Sequence, residues 1–274
     1  MDHLVQIDLY GSSRDPIMEA HTTLSALAPL TQKIKLGALC TCNFFRSPAL
    51  LAKMGATLDQ ISKGRFWLGI GAGWYEDEAR RYGYEFHDAK TRLDMLEESV
   101  KIIDKIWTEE AVSFKGKYYT VNDLTVFPRP IQKPRPKILI GGEGEKITLK
   151  LVAKYGDACN FFATGELLEH KLTVLKNHCK AVSRDYTSIL KTKLTSVMFA
   201  NTKEEALKKI EPFKPSWLDI KSYNQNFLYG NPSEISNQVS DLNEMGIDYL
   251  IVNFRNPYEP NDTLRFSQDV MSRF

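Results

Sequence analysis

The chain is short of cysteine, of charge of one sign and of long apolar runs. Four cysteines in 274 residues are too few for a disulfide scaffold and fit a reducing compartment. Lys and Arg number 36 against 34 Asp and Glu, a formal net charge of +2. A dedicated nucleic-acid binder carries a marked basic excess, so this balance argues against one. No stretch approaches the ~18 consecutive apolar residues of a membrane span. The opening Met1-Asp2-His3-Leu4 lacks a basic start followed by a long apolar run, so no secretory signal is read. A cytoplasmic protein acting on a small molecule, with no membrane and no nucleic-acid partner, is the expectation. A composition of 43% hydrophobic and 26% charged residues is ordinary for a soluble globular chain and excludes disordered, collagen-like and coiled-coil classes. The length suits one α/β barrel, which takes ~250 residues.

Strand-like and helix-like segments alternate. Residues 34–41, 66–71, 137–141, 158–161, 194–199 and 249–252 read as short apolar strands. Between the first two, Ser47-Pro48 offers an N-cap with proline at the first helical position. Leu50, Leu51, Met54, Leu58 and Ile61 follow at helical spacing, with Gly64 as a fitting C-cap. Further helices are expected over Leu93–Trp107, 146–155, 166–184, from 203 to 210, and from Asn231-Pro232 to Gly246. Such βα repetition predicts a parallel sheet covered by helices. Small or polar residues recur at strand ends, at Thr41, Gly71-Ala72-Gly73, Gly141-Gly142 and Asn160. A closed barrel gathers such ends on one face, so a barrel is favoured over a doubly wound sheet. The single domain 1–274 carries an insertion at about 108–136. Val112–Tyr119 reads there as a hairpin with a Lys-Gly turn, and Pro128, Pro130, Pro134 and Pro136 force a stiff connector. The cations of this run, with Arg80 and Arg81, read singly as solvated charge.

Gly69-Ile70-Gly71-Ala72-Gly73-Trp74 is the densest glycine cluster. Trp74 stands where a dinucleotide fingerprint needs glycine, so that fold loses its best support. Backbone amides without side chains can still approach a phosphate or a flat ring. Gly141-Gly142-Glu143-Gly144 has the same shape; each alone reads equally as a ligand loop or a tight turn, and two in one barrel strengthen the case for a phosphate-bearing ligand. Asp2-His3 places a carboxylate beside an imidazole, although a chain terminus by itself reads as frayed. Cys40-Thr41-Cys42 is not a metal spacing, and the five histidines form no ligand pattern. Packing is the reading for all four cysteines, and no metal is expected.

Together these residues resemble a family. The stretches Thr22–Ala28, Ile34–Gly37, Phe45–Lys53, Ala56–Asp59, Ile61–Arg65, Leu68–Glu76, Pro128–Pro130 and Ile140–Gly142 are similar to those of the luciferase-like monooxygenases, in their coenzyme F420-dependent class. The resemblance implies a TIM-like (β/α)8 barrel of the bacterial-luciferase type, with F420, or alternatively FMN, at the C-terminal strand ends. Asp2 and His3 match the family's Asp-His pair, which implies a catalytic His3 beside the redox ring and Asp2 at the cofactor. Leu39, Cys40 and Thr41 match the segment against the ring face, where members often carry a non-prolyl cis peptide. Gly71, Ala72, Gly73, Trp74, Gly141 and Gly142 match loops near the ring and the phosphate. The implied activity is F420-dependent hydride transfer with an unidentified small organic substrate. A homodimer, and an F420 or flavin reductase supplying reduced cofactor, are implied partners.

Two departures matter. Relatives carry about one βα unit of ~35 residues and most of a second strand before the Asp-His pair, so Met1 reads as internal. Unpaired parallel edges, a destabilised chain and a frayed Asp2-His3 are then expected. Trp74 also replaces the glutamate of the sugar-phosphate dehydrogenases, and an indole cannot give a proton, so sugar phosphate is disfavoured. An FMN-dependent monooxygenase and a non-catalytic flavin-binding barrel are the alternatives. A metal-dependent hydrolase is weak for want of ligands.

Overall fold

A computed structural model describes residues 1–7, 9–254 and 260–274. In chain order the elements are α1 (Ala20–Leu30), β1 (Thr41–Cys42), α2 (Pro48–Ile61), β2 (Leu68–Gly71), α3 (Glu76–Arg81), α4 (Ala89–Thr108), β3 (Val112–Lys115), β4 (Thr120–Leu124), β5 (Ile138–Ile140), α5 (Thr148–Tyr155), β6 (Ala158–Phe161), α6 (Gly165–Ala181), β7 (Leu190–Phe199), α7 (Lys203–Ile210), α8 (Ile220–Asn224), β8 (Phe227–Gly230), α9 (Pro232–Glu244), β9 (Tyr249–Asn253) and α10 (Asn261–Asp269). The chain divides into two compact units. One comprises Met1–Gln6, Ser13–Cys159 and Leu175–Ile189, the other Ile7–Ser12, Asn160–Val174 and Leu190–Phe274. Among the described residues no helix is long and apolar enough to cross a membrane.

In the first unit β1, β2, β5 and the start of β6 lie side by side and parallel. Thr41 pairs with Ile70, Ile70 with Ile140, and Ile140 with Cys159. Leu68, Ile70, Ile138 and Ile140 are buried to within 1%, as expected of strands covered on both faces. Ser47 caps α2 by accepting from the Leu50 N–H at 3.3 Å, with Pro48 in the first turn. Gly64, at φ +80°, donates its N–H to the Asp59 carbonyl and turns the chain out of the helix. Gly55 lets α2 approach α4, because a Cβ there would lie 2.7 Å from the Trp107 ring. The Trp107 indole N–H donates to the Ala52 carbonyl at 2.9 Å, which satisfies its polar atom in the core.

Two expectations are corrected here. Residues 34–41 do not form one strand. Leu36 bridges Phe66, Ile34 is 58% exposed, and the ladder resumes only at Thr41. Gly37 crosses so close to Trp67 that a Cβ would lie 2.6 Å from its carbonyl oxygen. The insertion does contain an antiparallel hairpin, but its strands are β3 and β4, reaching Leu124. Nor are the arginines of the proline-rich connector solvated. Arg129 donates to the Ile106 carbonyl at 2.7 Å, and Arg135 pairs with Asp157 at 2.5 Å and with Asp104. The connector is further pinned by fully buried Asp59, which accepts from the Ile131 and Gln132 N–H groups and the Gln132 amide. Arg80 and Arg81 remain on the surface, paired one turn back with Glu76 and Asp77.

In the second unit β7 runs parallel to both β8 and β9, with Met198 opposite Tyr229 and Leu194 opposite Ile251. The strand starts at Leu190, four residues before its expected start. Lys191 and Lys193 hide it by reading as polar. Lys191 is buried against Asp248 at 2.8 Å, and the Lys193 ammonium donates to the Phe162 and Ala163 carbonyls. Strand β8 was not expected at all. Its Phe227 joins Ile210 and Tyr223 in a core that includes Leu9 and Met198. Helix α9 starts with a capping box between Asn231 and Glu234.

Candidate active site

Every candidate catalytic or cofactor-binding residue read from the sequence lies in the first unit, and three clusters emerge. The first anchors Asp2. Its carboxylate is 3% exposed and accepts a bidentate pair from Arg46 at 2.7 and 3.1 Å, plus the Cys42 N–H at 3.0 Å. Arg46 also pairs with Glu19. Burial would raise the Glu19 carboxyl, but hydrogen bonds from Thr22 and His21 and the Arg46 charge bring it down to about 2. Asp2 is therefore an ionic anchor tying the start of the chain to β1. The expectation that this pair would be frayed is overturned by these buried charge-assisted bonds.

The second cluster presents His3. Its Nδ1 lies 2.8 Å from Glu78 Oε2, on α3, and its side chain is 13% exposed. Glu78 Oε1 accepts the N–H of Leu4 and, at 3.0 Å, that of Val5. Tyr82 donates its hydroxyl to the Leu4 carbonyl at 3.0 Å. The ring meets Trp74 edge-on at 5.6 Å and Tyr75 at 6.1 Å, while Trp74 and Tyr75 stack on each other at 5.2 Å. Trp74 is exposed, so an aromatic wall stands beside the imidazole where an acid was absent from the sequence.

The third cluster is a floor of strand ends. Leu39, Cys40, Gly71, Ala72, Gly73, Gly141 and Gly142 are each partly exposed. The Gly141 N–H donates to the Ile70 carbonyl at 2.8 Å, holding the ends of β2 and β5 together. Cys40 fills the space left by missing side chains. A Cβ on Gly71 would lie 3.7 Å from Cys40 Cβ, and one on Gly141 would overlap the Cys40 sulfur. Although Cys40 is partly exposed as a residue, its sulfur is packed away, and burial pushes the thiol up to about 12. Cys42 is pushed equally far, again by burial. The Leu39–Cys40 peptide is cis, as the resemblance implied. Thr41 is buried, and its hydroxyl lies 3.1 Å from His21 Nε2. His21 Nδ1 is buried with no partner, and burial, then Arg46, hold this ring's pKa below its ordinary value.

The donor set fits a flavin-like group. Four of the floor's seven residues, Gly71, Gly73, Gly141 and Gly142, carry no side chain, and a flat polar ring would meet little side-chain bulk there. Gly73 and Gly142 have φ +76° and +102°, the left-handed region that favours glycine. Residues 141–144 lead into α5, where an anionic tail would meet backbone N–H groups.

Arg46, Glu19, Glu78, Tyr75 and His21 were not singled out from the sequence. Arg46 and Tyr75 lie within stretches that carry the resemblance, but no role was assigned to them; Glu78 stands in the Glu76-Asp77-Glu78 run, and nothing linear separates it from its solvated neighbours.

Comparison with known proteins gives the family and the fold. The family description "Luciferase-like monooxygenase" matches residues 2–226. An FMNH(2)-dependent dimethylsulfone monooxygenase of Pseudomonas putida is 28% identical over 89% of this chain and 76% of its own. An F420-dependent glucose-6-phosphate dehydrogenase of Amycolatopsis mediterranei (strain U-32) is 25% identical over 91% of this chain and 82% of its own. Among solved structures, an F420-dependent secondary alcohol dehydrogenase in complex with an F420-acetone adduct superposes with a TM-score of 0.82. Its identity is 21%, over 97% of this chain and 85% of that one. The fold class is that of the luciferase-like TIM-type α/β proteins.

Proposed function

The chain belongs to the luciferase-like monooxygenase family, and from that premise we propose that it is an F420-dependent oxidoreductase acting on a small organic substrate. The observation that carries the reading is the partly exposed cluster of strand ends at Cys40, Gly71 and Gly141, where the glycines make room for the Cys40 side chain, in one unit with a held but accessible His3. When bound, the deazaflavin supplies the hydride chemistry, and the protein supplies orientation and electrostatics. Leu39, Cys40 and the glycines at 71, 73, 141 and 142 would hold the ring and its phosphate end. Asp2, through Arg46 and the Cys42 N–H, fixes the segment from which His3 projects. His3 gives or takes a proton at the substrate, and Trp74 and Tyr75 exclude water from one side of the imidazole.

A second reading is favoured by the Pseudomonas relative: an FMN-dependent monooxygenase fed by a reductase. Equilibrium titration of the protein with F420 and with FMN separates the two. Tighter F420 binding supports the proposal, and equal or tighter FMN binding replaces it with the second reading. His3→Ala is expected to lower turnover by about 10²–10⁴-fold, the contribution of a general acid or base, while cofactor affinity changes little. An unchanged turnover number removes His3 from the chemistry.

A further inference from the structure

We propose that Glu78 is the positioning residue for His3: it holds the proton of the neutral ring on Nδ1 and presents Nε2, bare, to the site. The chemistry of that nitrogen rests on the redox reading above; the geometry does not.

Glu78 is 2% exposed and both its oxygens face residues 3–5. Oε1 takes the Leu4 and Val5 N–H groups, which can only donate. Oε2 lies 2.8 Å from His3 Nδ1. Burial would raise the Glu78 carboxyl, but the hydrogen bond with His3 and those from Val5 and Leu4 bring it below its ordinary value. Glu78 is therefore a carboxylate, which has no proton to give. The short contact to Nδ1 must be donated by the ring, so the single proton of the neutral imidazole sits there. Nε2 has no protein partner among the described residues. It accepts a proton as a base and returns it as an acid, while the bond at Nδ1 persists and the ring stays in place. Trp74 and Tyr75, edge-on at 5.6 and 6.1 Å, leave the ring little room to turn over. A carboxylate fixing the tautomer of an imidazole at its far nitrogen is a recurrent second partner in acid–base sites.

A merely structural Glu78, tying down the chain at Leu4 and Val5, makes a different forecast for Glu78→Gln. The glutamine is isosteric, and the two backbone N–H groups still demand its oxygen. Its NH₂ then falls opposite Nδ1 and donates to it. The ring proton is driven to Nε2, and the tautomer inverts with the fold intact.

The test uses the full chain without cofactor, labelled with ¹⁵N-histidine, and long-range ¹H–¹⁵N spectra at a pH where the His3 ring is neutral. Assignment comes from the resonance lost in His3→Gln. The expected wild-type result is a pyrrole-like Nδ1 and a pyridine-like Nε2, with the two exchanged in Glu78→Gln. A wild-type ring protonated at Nε2, or a tautomer unmoved by Glu78→Gln, overturns the proposal. If Glu78→Gln does not fold, the wild-type tautomer alone decides. Failure of both F420 and FMN to bind, with the tautomers as expected, refutes the redox reading and leaves this inference standing.

Discussion

Replacing Gly141 by alanine tests how closely the strand ends are packed beneath the site. Gly141 has no left-handed φ, so alanine meets no backbone obstacle there. The obstacle is Cys40: the new methyl would overlap its sulfur and come within 3.2 Å of its Cβ. A cysteine has a single heavy-atom side-chain torsion to yield with, and its sulfur already lies over Gly69 and its Cβ over Gly71. Overpacking a tight interior costs about 1–3 kcal/mol. For a chain of this length each kcal/mol lowers the melting temperature by about 2–4 °C, so a fall of several degrees is expected. Cys40→Ala alone should cost about 1 kcal/mol, the value of one buried methylene-sized group.

The double variant is the discriminating measurement. With the sulfur gone, the alanine methyl at 141 occupies the space it left, and the pair should cost clearly less than the sum of the singles. A coupling of about 1–2 kcal/mol is expected, within the range of contacting residues. Denaturant midpoints of the four proteins, read with one probe, close the cycle. Strict additivity would refute the packing argument, and an unaltered melting temperature in Gly141→Ala would show that the strand ends are not in contact.

Other expectations follow from the charged and thiol groups. Arg46→Met should cost about 3–5 kcal/mol, the penalty for stranding a buried charge, because Arg46 is the cation paired with buried Asp2; a loss under 1 kcal/mol by urea denaturation would contradict the anchor. With their thiols at about 12, Cys40 and Cys42 hold about 10⁻⁴ of thiolate at pH 8, so iodoacetamide should label them far more slowly in the native than in the unfolded chain. Glu19 sits at about 2 in the fold against 4.5 ordinarily. A lowered folded value adds stability that is present above about 4.5 and is lost as pH falls toward 2; Glu19→Gln should therefore flatten the acid limb of the stability–pH curve, and an unchanged limb refutes the assignment.

What could be read from the linear chain was what local periodicity encodes. Strand β6, helix α7 and the Ser47-Pro48 start of α2 stand where pattern and capping place them, because each is set by neighbours within about four residues. The errors fall where distant residues decide. Residues 34–41 look like a strand until Trp67 crosses Gly37, and β7 looks too short until Asp248 and the Phe162 carbonyl take up its lysines. The site divides in the same way. Its glycines and Asp2-His3 stand out as local motifs. The groups that fix their geometry do not, since Glu78 is 75 residues from His3 and Arg46 is 44 from Asp2. Solvated and buried acids have the same letter.

Asp2 and His3 are neighbours in sequence with opposite tasks, and their partners explain why both are needed. An anchor must be well satisfied: Asp2 accepts from Arg46 at both oxygens and from the Cys42 N–H at one of them. An acid–base group must be half satisfied, with one nitrogen held and one open, and His3 meets that condition through Glu78 alone. Exchanging the two roles fails on chemistry, since a carboxylate bound on both oxygens cannot relay a proton and an imidazole cannot accept a bidentate guanidinium. Asp2→Asn should thus reduce stability and cofactor affinity together, because a neutral amide keeps one acceptor and loses the paired charge. His3→Gln should leave both nearly intact, since its amide still reaches a fixed Glu78. Melting curves and cofactor titrations on the two variants separate the roles. If Asp2→Asn melts with the wild type while His3→Gln unfolds, the anchor is the histidine and the division of labour is reversed.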